Sequence, residues 1–482
     1  MLAVVHVLGS MLMMFSMTYI LPVATSVIFR DGHLVDFLFA AAFCLGVGLV
    51  LWSVTRRHKR ELRSRDGFLL VSLGWVLMSA IAAVPLLVAL PGLSFTDAFF
   101  EAMSGLSTTG ATVLVGIERL PPSINLWRHA LQWYGGMGII VLVVAILPLL
   151  GVGGMQMYRA ETPGPMKNDK LTPRIAQTAK ALWFVYFLIT VACILSLRQV
   201  GMGWFDAVCH AFAALALGGF STYDASVGHF DSPAIEAVLI VFMLIAAMNF
   251  GRHFIAWQQK SLRTYLQDVE AWAMLRIIGV STLGIALFVW YQGVYPEFLT
   301  SLRHVAFNLV SIATDCGFVS QDYAAWPALA PIWILMLSCY CANSGSTGGG
   351  IKMFRTLVLF KQAGRELMLL VHPQAVRPVR VGGQVVQNQI VLAVLAFVVL
   401  YFGTVVALTF ALLAGGMDFI SAFSAIIACI NNAGPGLGVV GPAGNYQGLS
   451  DFQTWVCALA MLLGRLEIFS FLVLFTPVYW RK

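Results

Sequence analysis

Ser107-Thr108-Thr109-Gly110-Ala111-Thr112 is a polar hexapeptide in a chain that is 59% hydrophobic and 11% charged, where such polarity would be expected only in a connecting loop. Three stretches echo it: Leu217-Gly218-Gly219-Phe220-Ser221, Thr314-Asp315-Cys316-Gly317-Phe318 and Asn431-Asn432-Ala433-Gly434-Pro435. Each follows a short, semi-apolar stretch lying between two long hydrophobic segments. Aligned on Gly110, Gly219, Gly317 and Gly434, the copies recur about every hundred residues, which reads as internal repetition of one unit. Four copies of one loop suggest a pore with fourfold pseudosymmetry.

Glycine at the aligned position has a physical reason. A selectivity filter replaces an ion's hydration shell with backbone carbonyls, and aiming consecutive carbonyls at one axis requires backbone angles that a Cβ obstructs. Glycine and small polar residues also let membrane helices pack closely, which suffices to explain any single copy. Four copies at one place within the same unit favour the filter.

A mean hydropathy of +0.85 describes a polytopic membrane protein rather than a soluble one with a large core. The net charge of +7 therefore takes a topological reading before a nucleic-acid one. Lys and Arg concentrate in Arg56–Arg65, Arg159–Lys180, Arg252–Arg276 and Lys352–Arg380, while the loops carrying the four glycines have very few. The positive-inside rule puts the basic segments in the cytoplasm and the glycine loops near the outer face. Most of the eight cysteines (Cys44, Cys193, Cys339, Cys341, Cys429, Cys457) fall in apolar segments and read as small buried hydrophobes, with neither zinc-site nor disulfide spacing. No basic region precedes the first apolar run, so a retained helix is expected there rather than a cleaved signal.

In order, apolar spans over 4–29 and 34–55 are joined by Arg30-Asp31-Gly32-His33 and form an accessory hairpin. After Arg56-Arg57-His58-Lys59-Arg60, a span over 68–90 leads out, Pro91-Gly92 breaks it, and Asp97 caps a short helix ending at Ser107. That helix is too short for a bilayer that needs about 20 apolar residues, so it dips in and returns. Re-entrant backbone is tolerated only where protein or a watery cavity surrounds it, so the four loops should face one another. Their helix C-termini, the negative dipole ends, would favour a cation. The returning span over 127–150 contains Trp133-Tyr134-Gly135-Gly136-Met137-Gly138-Ile139, whose glycines either relieve helix crowding or admit a neighbouring loop.

The unit repeats with spans near 181–200 and 233–257 around a helix beginning at Asp206, near 271–292 and 327–358, and near 387–414 and 452–480. The expected fold is an all-α polytopic membrane protein: four parallel helix–pore loop–helix (M1-P-M2) repeats with fourfold pseudosymmetry plus an N-terminal two-helix hairpin. The boundaries are 1–66 for the hairpin and basic loop, 67–180, 181–268 and 269–380 for repeats one to three, and 381–482 for repeat four. Ten full spans and four re-entrant loops leave both termini cytoplasmic.

Two features depart from regularity. The second span of repeat three is interrupted by Asn343-Ser344-Gly345-Ser346-Thr347-Gly348-Gly349-Gly350, which no stable helix crosses. Gly350 is followed by Ile351-Lys352-Met353 rather than Lys-Ser/Thr, so this is no phosphate-binding loop. It reads as a flexible intramembrane gate under the filter, the alternative being an unwound kink with no gating role. In the last span, Gly464-Arg465-Leu466-Glu467 puts an ionisable pair inside an apolar helix. An arginine there costs at least about 2.5–3.5 kcal/mol on insertion scales and must face a polar cavity or a partner. Below a cation filter its charge is an electrostatic barrier; the alternative is a structural salt bridge, for which Glu467 is badly placed.

Together, the four loop glycines, the glycine-rich break, Gly464 to Glu467, Trp133 to Ile139 and Asn431-Asn432-Ala433-Gly434-Pro435-Gly436-Leu437-Gly438 resemble the TrkH/TrkG/KtrB superfamily of potassium transporters. The likeness covers almost the whole chain and is greatest to the TrkH branch, which carries the extra N-terminal hairpin. The resemblance implies potassium uptake across the bacterial inner membrane by a homodimer with one pore per protomer, embedded in membrane lipid. It implies a filter at Gly110, Gly219, Gly317 and Gly434, and the candidate filter extends to Thr108, Thr109, Leu217, Gly218, Asp315, Cys316, Asn432 and Ala433. K+ is then expected at Thr109, Gly110, Gly218, Gly219, Cys316, Gly317, Ala433 and Gly434, as the transported ion, with no organic cofactor on this chain. The break over 343–350 is implied to be the gate and Arg465 the pore arginine beneath it. A cytoplasmic ring of TrkA-type nucleotide-binding subunits is the implied regulator.

A single glycine shared by four loops, where potassium channels carry four copies of Thr-Val-Gly-Tyr-Gly, implies fewer carbonyl rings and weaker discrimination among cations. Asp315 either draws cations to the mouth or, as the better reading, hydrogen-bonds behind its loop. A proton- or sodium-coupled symporter is the main alternative, disfavoured because Glu467 is nearly alone among intramembrane carboxylates. No nucleophile motif and no pair of histidines at metal-ligand spacing supports an enzyme.

Overall fold

The computed structural model describes residues 1–57, 63–141 and 172–481. The end of the expected 127–150 span, His58-Lys59-Arg60 and most of Arg159–Lys180 lie outside the described residues. Six helices are long and apolar enough to cross a bilayer: Leu2–Phe29, Leu34–Thr55, Arg65–Ala89, Ala179–Gln199, Val269–Tyr291 and Asn388–Ala414. The number rises to eight if two bent pairs each count as one span.

The bends correct the expectation of straight spans over 233–257 and 452–480. Pro233–Ala246 and Phe250–Gln259 meet at 91°, and Asp451–Arg465 and Phe469–Phe475 at 106°. At the first bend Asn249 starts a new helix, its Oδ1 accepting from the Gly251 amide at 2.8 Å. At the second, Glu467 and Ile468 take φ of 54° and 47°, outside any right-handed helix. The segment expected over 327–358 is divided as its sequence suggests, into Leu329–Ser338 and Met353–Val371.

Four short helices precede the glycine stretches: Phe95–Leu106, Trp204–Ala216, Phe298–Ala313 and Phe419–Ile430. At about 1.5 Å per residue none spans a hydrocarbon core of about 30 Å. Ser94, not Asp97, caps the first: its hydroxyl accepts from the Asp97 amide at 3.1 Å. The second begins at Trp204, two residues before the expected Asp206. One departure from an all-helical chain is a two-stranded hairpin, Arg380–Val381 with Gln384–Val385, turned by Gly382-Gly383 at positive φ. Val381, with flanking Val379 and Val386, joins Phe354, Val358, Ile390 and Val394 in an apolar cluster separate from the main core.

The N-terminal hairpin is fastened to the first repeat rather than appended to it. Gly9 and Gly48 bring its helices into backbone contact: a Cβ on Gly9 would sit 2.7 Å from the Trp52 amide nitrogen. Tyr19 stacks on Trp127 at 4.5 Å and donates to the Ile81 carbonyl at 3.1 Å. Asp31, in the turn outside the spanning helices, accepts from the Ser123 amide at 2.9 Å and so caps the helix Pro122–Val141 from another part of the chain. Burial pushes the Asp31 carboxyl up, but bonds from Ser123, Ser26 and His33 outweigh it and hold it below the usual carboxylate range. A depressed carboxyl contributes stability that is fully present above its unfolded value and lost as pH falls through the folded one. Asp31→Asn should therefore lower the thermal midpoint of detergent-solubilised protein at neutral pH, the gap closing below the ordinary carboxylate range. A gap independent of pH would show that charge does not make this cap.

Candidate functional site

All four short helices end in the same turn. The amides of Thr109, Gly218, Cys316 and Ala433 donate to the carbonyls of Ser104, Ala213, Ser311 and Ala428, every bond at 2.8 Å. The preceding amides, of Thr108, Leu217, Asp315 and Asn432, close an inner bond to Gly105, Ala214, Ile312 and Cys429. This pair of bonds ends a helix through one left-handed residue, ordinarily glycine. Here the left-handed residues are Thr108, Leu217, Asp315 and Asn432, at φ of 57°, 52°, 65° and 57°. A side chain in that conformation costs roughly 1–2 kcal/mol, so the surrounding packing must impose it.

Two residues on, Gly110, Gly219, Gly317 and Gly434 also have positive φ, from 71° to 89°. None has room for a side chain. A Cβ on Gly110 would strike the Gly218 carbonyl, and one on Gly219 the Cys316 carbonyl. On Gly317 it would lie 2.5 Å from the Ala433 oxygen, and on Gly434 2.7 Å from the Thr109 oxygen. The contacts run from the first loop to the second, third and fourth, and return to the first. All four glycines line one cavity, beside Thr112, Phe220, Val319 and Pro435.

Residues that the sequence reading passed over hold the strands beyond the glycines. Nine positions before its glycine, each of the first three helices carries a buried polar residue: Glu101, His210 and Asn308. Glu101 accepts from Thr112 Oγ1 at 3.0 Å and the Val113 amide at 3.1 Å; His210 Nε2 lies 3.0 Å from Ser221 Oγ; Asn308 Oδ1 accepts from the Ser320 amide at 3.1 Å. In the fourth, Ser424 Oγ accepts from the Leu437 amide at 2.8 Å. Among the described residues two side chains donate to carbonyls of these turns: Gln132 Nε2 to Gly218 at 2.5 Å and the Tyr446 hydroxyl to Gly434 at 2.9 Å. Buried Arg128 donates to Glu101 at 2.8 Å and lies 4.3 Å over the Phe220 ring, joining loops one and two. Glu101→Gln leaves that guanidinium buried without its counter-charge and should cost about 3–5 kcal/mol of stability. An unchanged unfolding midpoint would remove Glu101 from the scaffold.

Much of the polar break's backbone is hydrogen-bonded, while the buried Asn343 side-chain amide and Ser344 hydroxyl find no partner among the described residues. Asn343 donates its amide to the Ala247 carbonyl at 3.2 Å, Ser344 to Glu270 Oε2 at 3.0 Å, and Gly345 accepts from the Phe250 amide at 3.1 Å. The Ser346 hydroxyl donates to the Asn343 carbonyl, and that of Thr347 to the Leu215 carbonyl at the end of the second short helix. Lys352 Nζ donates to the Gly348 carbonyl. A Cβ on Gly349 would strike the Asn431 carbonyl, and Gly350 has a φ of 71°. Asp315 Oδ2 accepts from the Gly349 amide at 3.0 Å, so its side chain bonds behind the loop.

Arg465 reaches the same segment. Its Nη1 donates to the Thr347 carbonyl and its Nη2 to the Gly135 carbonyl, both at 2.9 Å. Among the described residues it pairs with no carboxylate; Glu467 instead receives Arg355 Nη2 at 2.6 Å. A Cβ on Gly135 would strike the Leu106 carbonyl, one on Gly136 would come within 2.9 Å of Ala216 Cα, and one on Gly464 would strike the Ile430 carbonyl. A Cβ on Gly138 would meet nothing nearer than Trp75 at 3.8 Å, whereas Gly135 and Gly136 let the last turns of the first and second short helices approach. Gly464 does the same for the fourth.

Comparison with known proteins places this arrangement. Residues 33–482 match the family model TrkH, described as cation transport protein. The chain is 46% identical to the Trk system potassium uptake protein TrkH of Salmonella typhimurium over 100% of its own length and 99% of the relative's. It is 39% identical to TrkG of Escherichia coli K12, over 99% and 98%. The crystal structure of the potassium transporter TrkH from Vibrio parahaemolyticus superposes with a TM-score of 0.92 at 43% identity, covering 100% of this chain and 99% of that one.

Proposed function

The chain belongs to the TrkH family of cation transport proteins, and from that premise we propose that it takes up potassium through a channel-like pore in the bacterial inner membrane. It is a multi-pass membrane transporter and not an enzyme. The closed succession of contacts among Gly110, Gly219, Gly317 and Gly434 around one cavity carries the proposal. In this reading the four loops are pore loops with fourfold pseudosymmetry. The carbonyls of Thr109, Gly110, Gly218, Gly219, Cys316, Gly317, Ala433 and Gly434 supply the K+ sites, and the dipoles of the short helices favour a cation at their C-termini. Segment 343–350 and Arg465 form the gate. The protein acts as a homodimer regulated by a TrkA-type cytoplasmic subunit, the Trk system to which its relatives' names refer.

The carboxylates speak for a channel-like pore over a coupled symporter: buried Glu101, Glu236 and Asp268 and part-exposed Glu467 each pair with an arginine, and buried Glu270 and Asp315 each accept from a backbone amide. Purified protein in liposomes should pass rubidium down its own gradient, at a rate unchanged by collapsing pH or sodium gradients. Flux that requires either gradient would replace the pore with a symporter. Expression should restore growth at low potassium to a bacterium lacking its own uptake systems.

A further inference from the structure

Asp315 is fully buried, and only one of its carboxylate oxygens has a hydrogen-bond partner. That partner, the Gly349 amide, belongs to the polar break. The other three residues at the same place in the turn do not reach the break: Asn432 donates to Thr109 Oγ1 and the Met461 carbonyl, Thr108 leaves its hydroxyl unbonded, and Leu217 is apolar. At φ 65°, Asp315 is also the left-handed residue that aims the carbonyls of Cys316 and Gly317. One residue therefore sets the third strand of the filter and grips the break.

Contact is close on both sides of that bond. A Cβ on Gly348 would come within 3.0 Å of the Thr314 carbonyl and 3.3 Å of Asp315 Oδ2, so the break lies directly against the turn. Lys352 fixes the Gly348 carbonyl and stands within electrostatic reach of Asp315. Arg465 fixes the Thr347 carbonyl one residue earlier. A carboxylate buried with a single amide donor is strongly disfavoured without it, so the break cannot withdraw while Asp315 stays as it is.

We propose that Asp315 is a positioning residue that couples the break to the third filter loop, so that displacement of the break changes ion discrimination as well as opening the path. This rests on the filter and gate reading given above. The prediction is a dependence of selectivity on the gate, entering through a side chain that only the third of the four turns supplies.

The test uses the full chain in liposomes, with rubidium and sodium flux measured for wild type, Asp315→Ala, a Gly348–Gly350 deletion and the two combined. Asp315→Ala removes the acceptor of the Gly349 amide, which Asn would retain. Coupling predicts that the deletion raises flux and lowers the rubidium-to-sodium ratio by about fivefold or more, and that Asp315→Ala alone lowers the ratio similarly. Combined, they should give the ratio of either alone, because the second change breaks a link already broken. Ratios that multiply, or a deletion that raises flux at the wild-type ratio, would overturn the coupling while leaving the pore reading intact. Absence of rubidium flux in wild type and variants alike would overturn the pore reading, and the coupling with it. Should Asp315→Ala fail to fold, Lys352→Met loosens the Gly348–Gly349 peptide from the other side with the filter residue in place. It should lower the ratio too, and an unchanged ratio would count against the proposal.

Discussion

Alanine at Gly110 or Gly219 reduces rubidium flux per correctly inserted molecule to about a hundredth of wild type or less. The methyl group of either variant falls onto a carbonyl of the next loop, Gly218 in one case and Cys316 in the other, and neither is the end of a flexible side chain that could swing away. The backbone at both positions is also left-handed, adding of order 1–3 kcal/mol of strain. At Gly434 the nearest atom is 2.7 Å from the added Cβ, so Gly434→Ser should be milder, keeping flux while altering the ratio of potassium to sodium. Growth in limiting potassium at rising sodium reads that ratio. Equal and small effects at all four glycines would remove them from the ion path.

Arg465→Ala raises basal rubidium flux in the absence of any cytoplasmic partner, by about tenfold or more. Two causes act together: a positive charge leaves a buried site where low dielectric strengthens repulsion of a cation, and the Thr347 carbonyl loses the donor that holds the break. Because among the described residues Arg465 pairs with carbonyls and with no carboxylate, its removal leaves no buried anion behind there. The expected loss of stability is only that of unpaired carbonyls, about 1–3 kcal/mol, which a folded protein can survive. Monodisperse Arg465→Ala protein with wild-type or lower flux would show that the arginine is structural. Arg465→Lys keeps the charge but not the twin bonds, and so separates the two causes.

The parts legible in sequence are those where backbone geometry excludes alternatives. A left-handed turn against a neighbour's carbonyl admits only glycine, so Gly110, Gly219, Gly317 and Gly434 stand out of the apolar chain. The 343–350 break is equally visible because a run of glycine, serine and threonine has no helical reading. The side chains behind the four glycine turns are hidden for the opposite reason. Glu101, His210 and Asn308 do one job with three chemistries, so no residue type repeats and only the shared nine-residue interval betrays them. Gln132 acts on a carbonyl 86 residues away, which spacing cannot reveal. The bends were missed because hydropathy continues through them, although Asn249 before Phe250-Gly251 is a recognisable helix start. Arg465 and the break were each read as functional, but their hydrogen bond joins residues 118 apart and needed the fold to be seen.

The cap that Asp31 places on the Ser123 amide makes the hairpin part of the unit that the first repeat needs in order to fold. Without it the start of Pro122–Val141 has a backbone donor that only water or some other acceptor could satisfy. Truncation at residue 66 thus removes not a detachable extension but the acceptor on which that helix terminus depends.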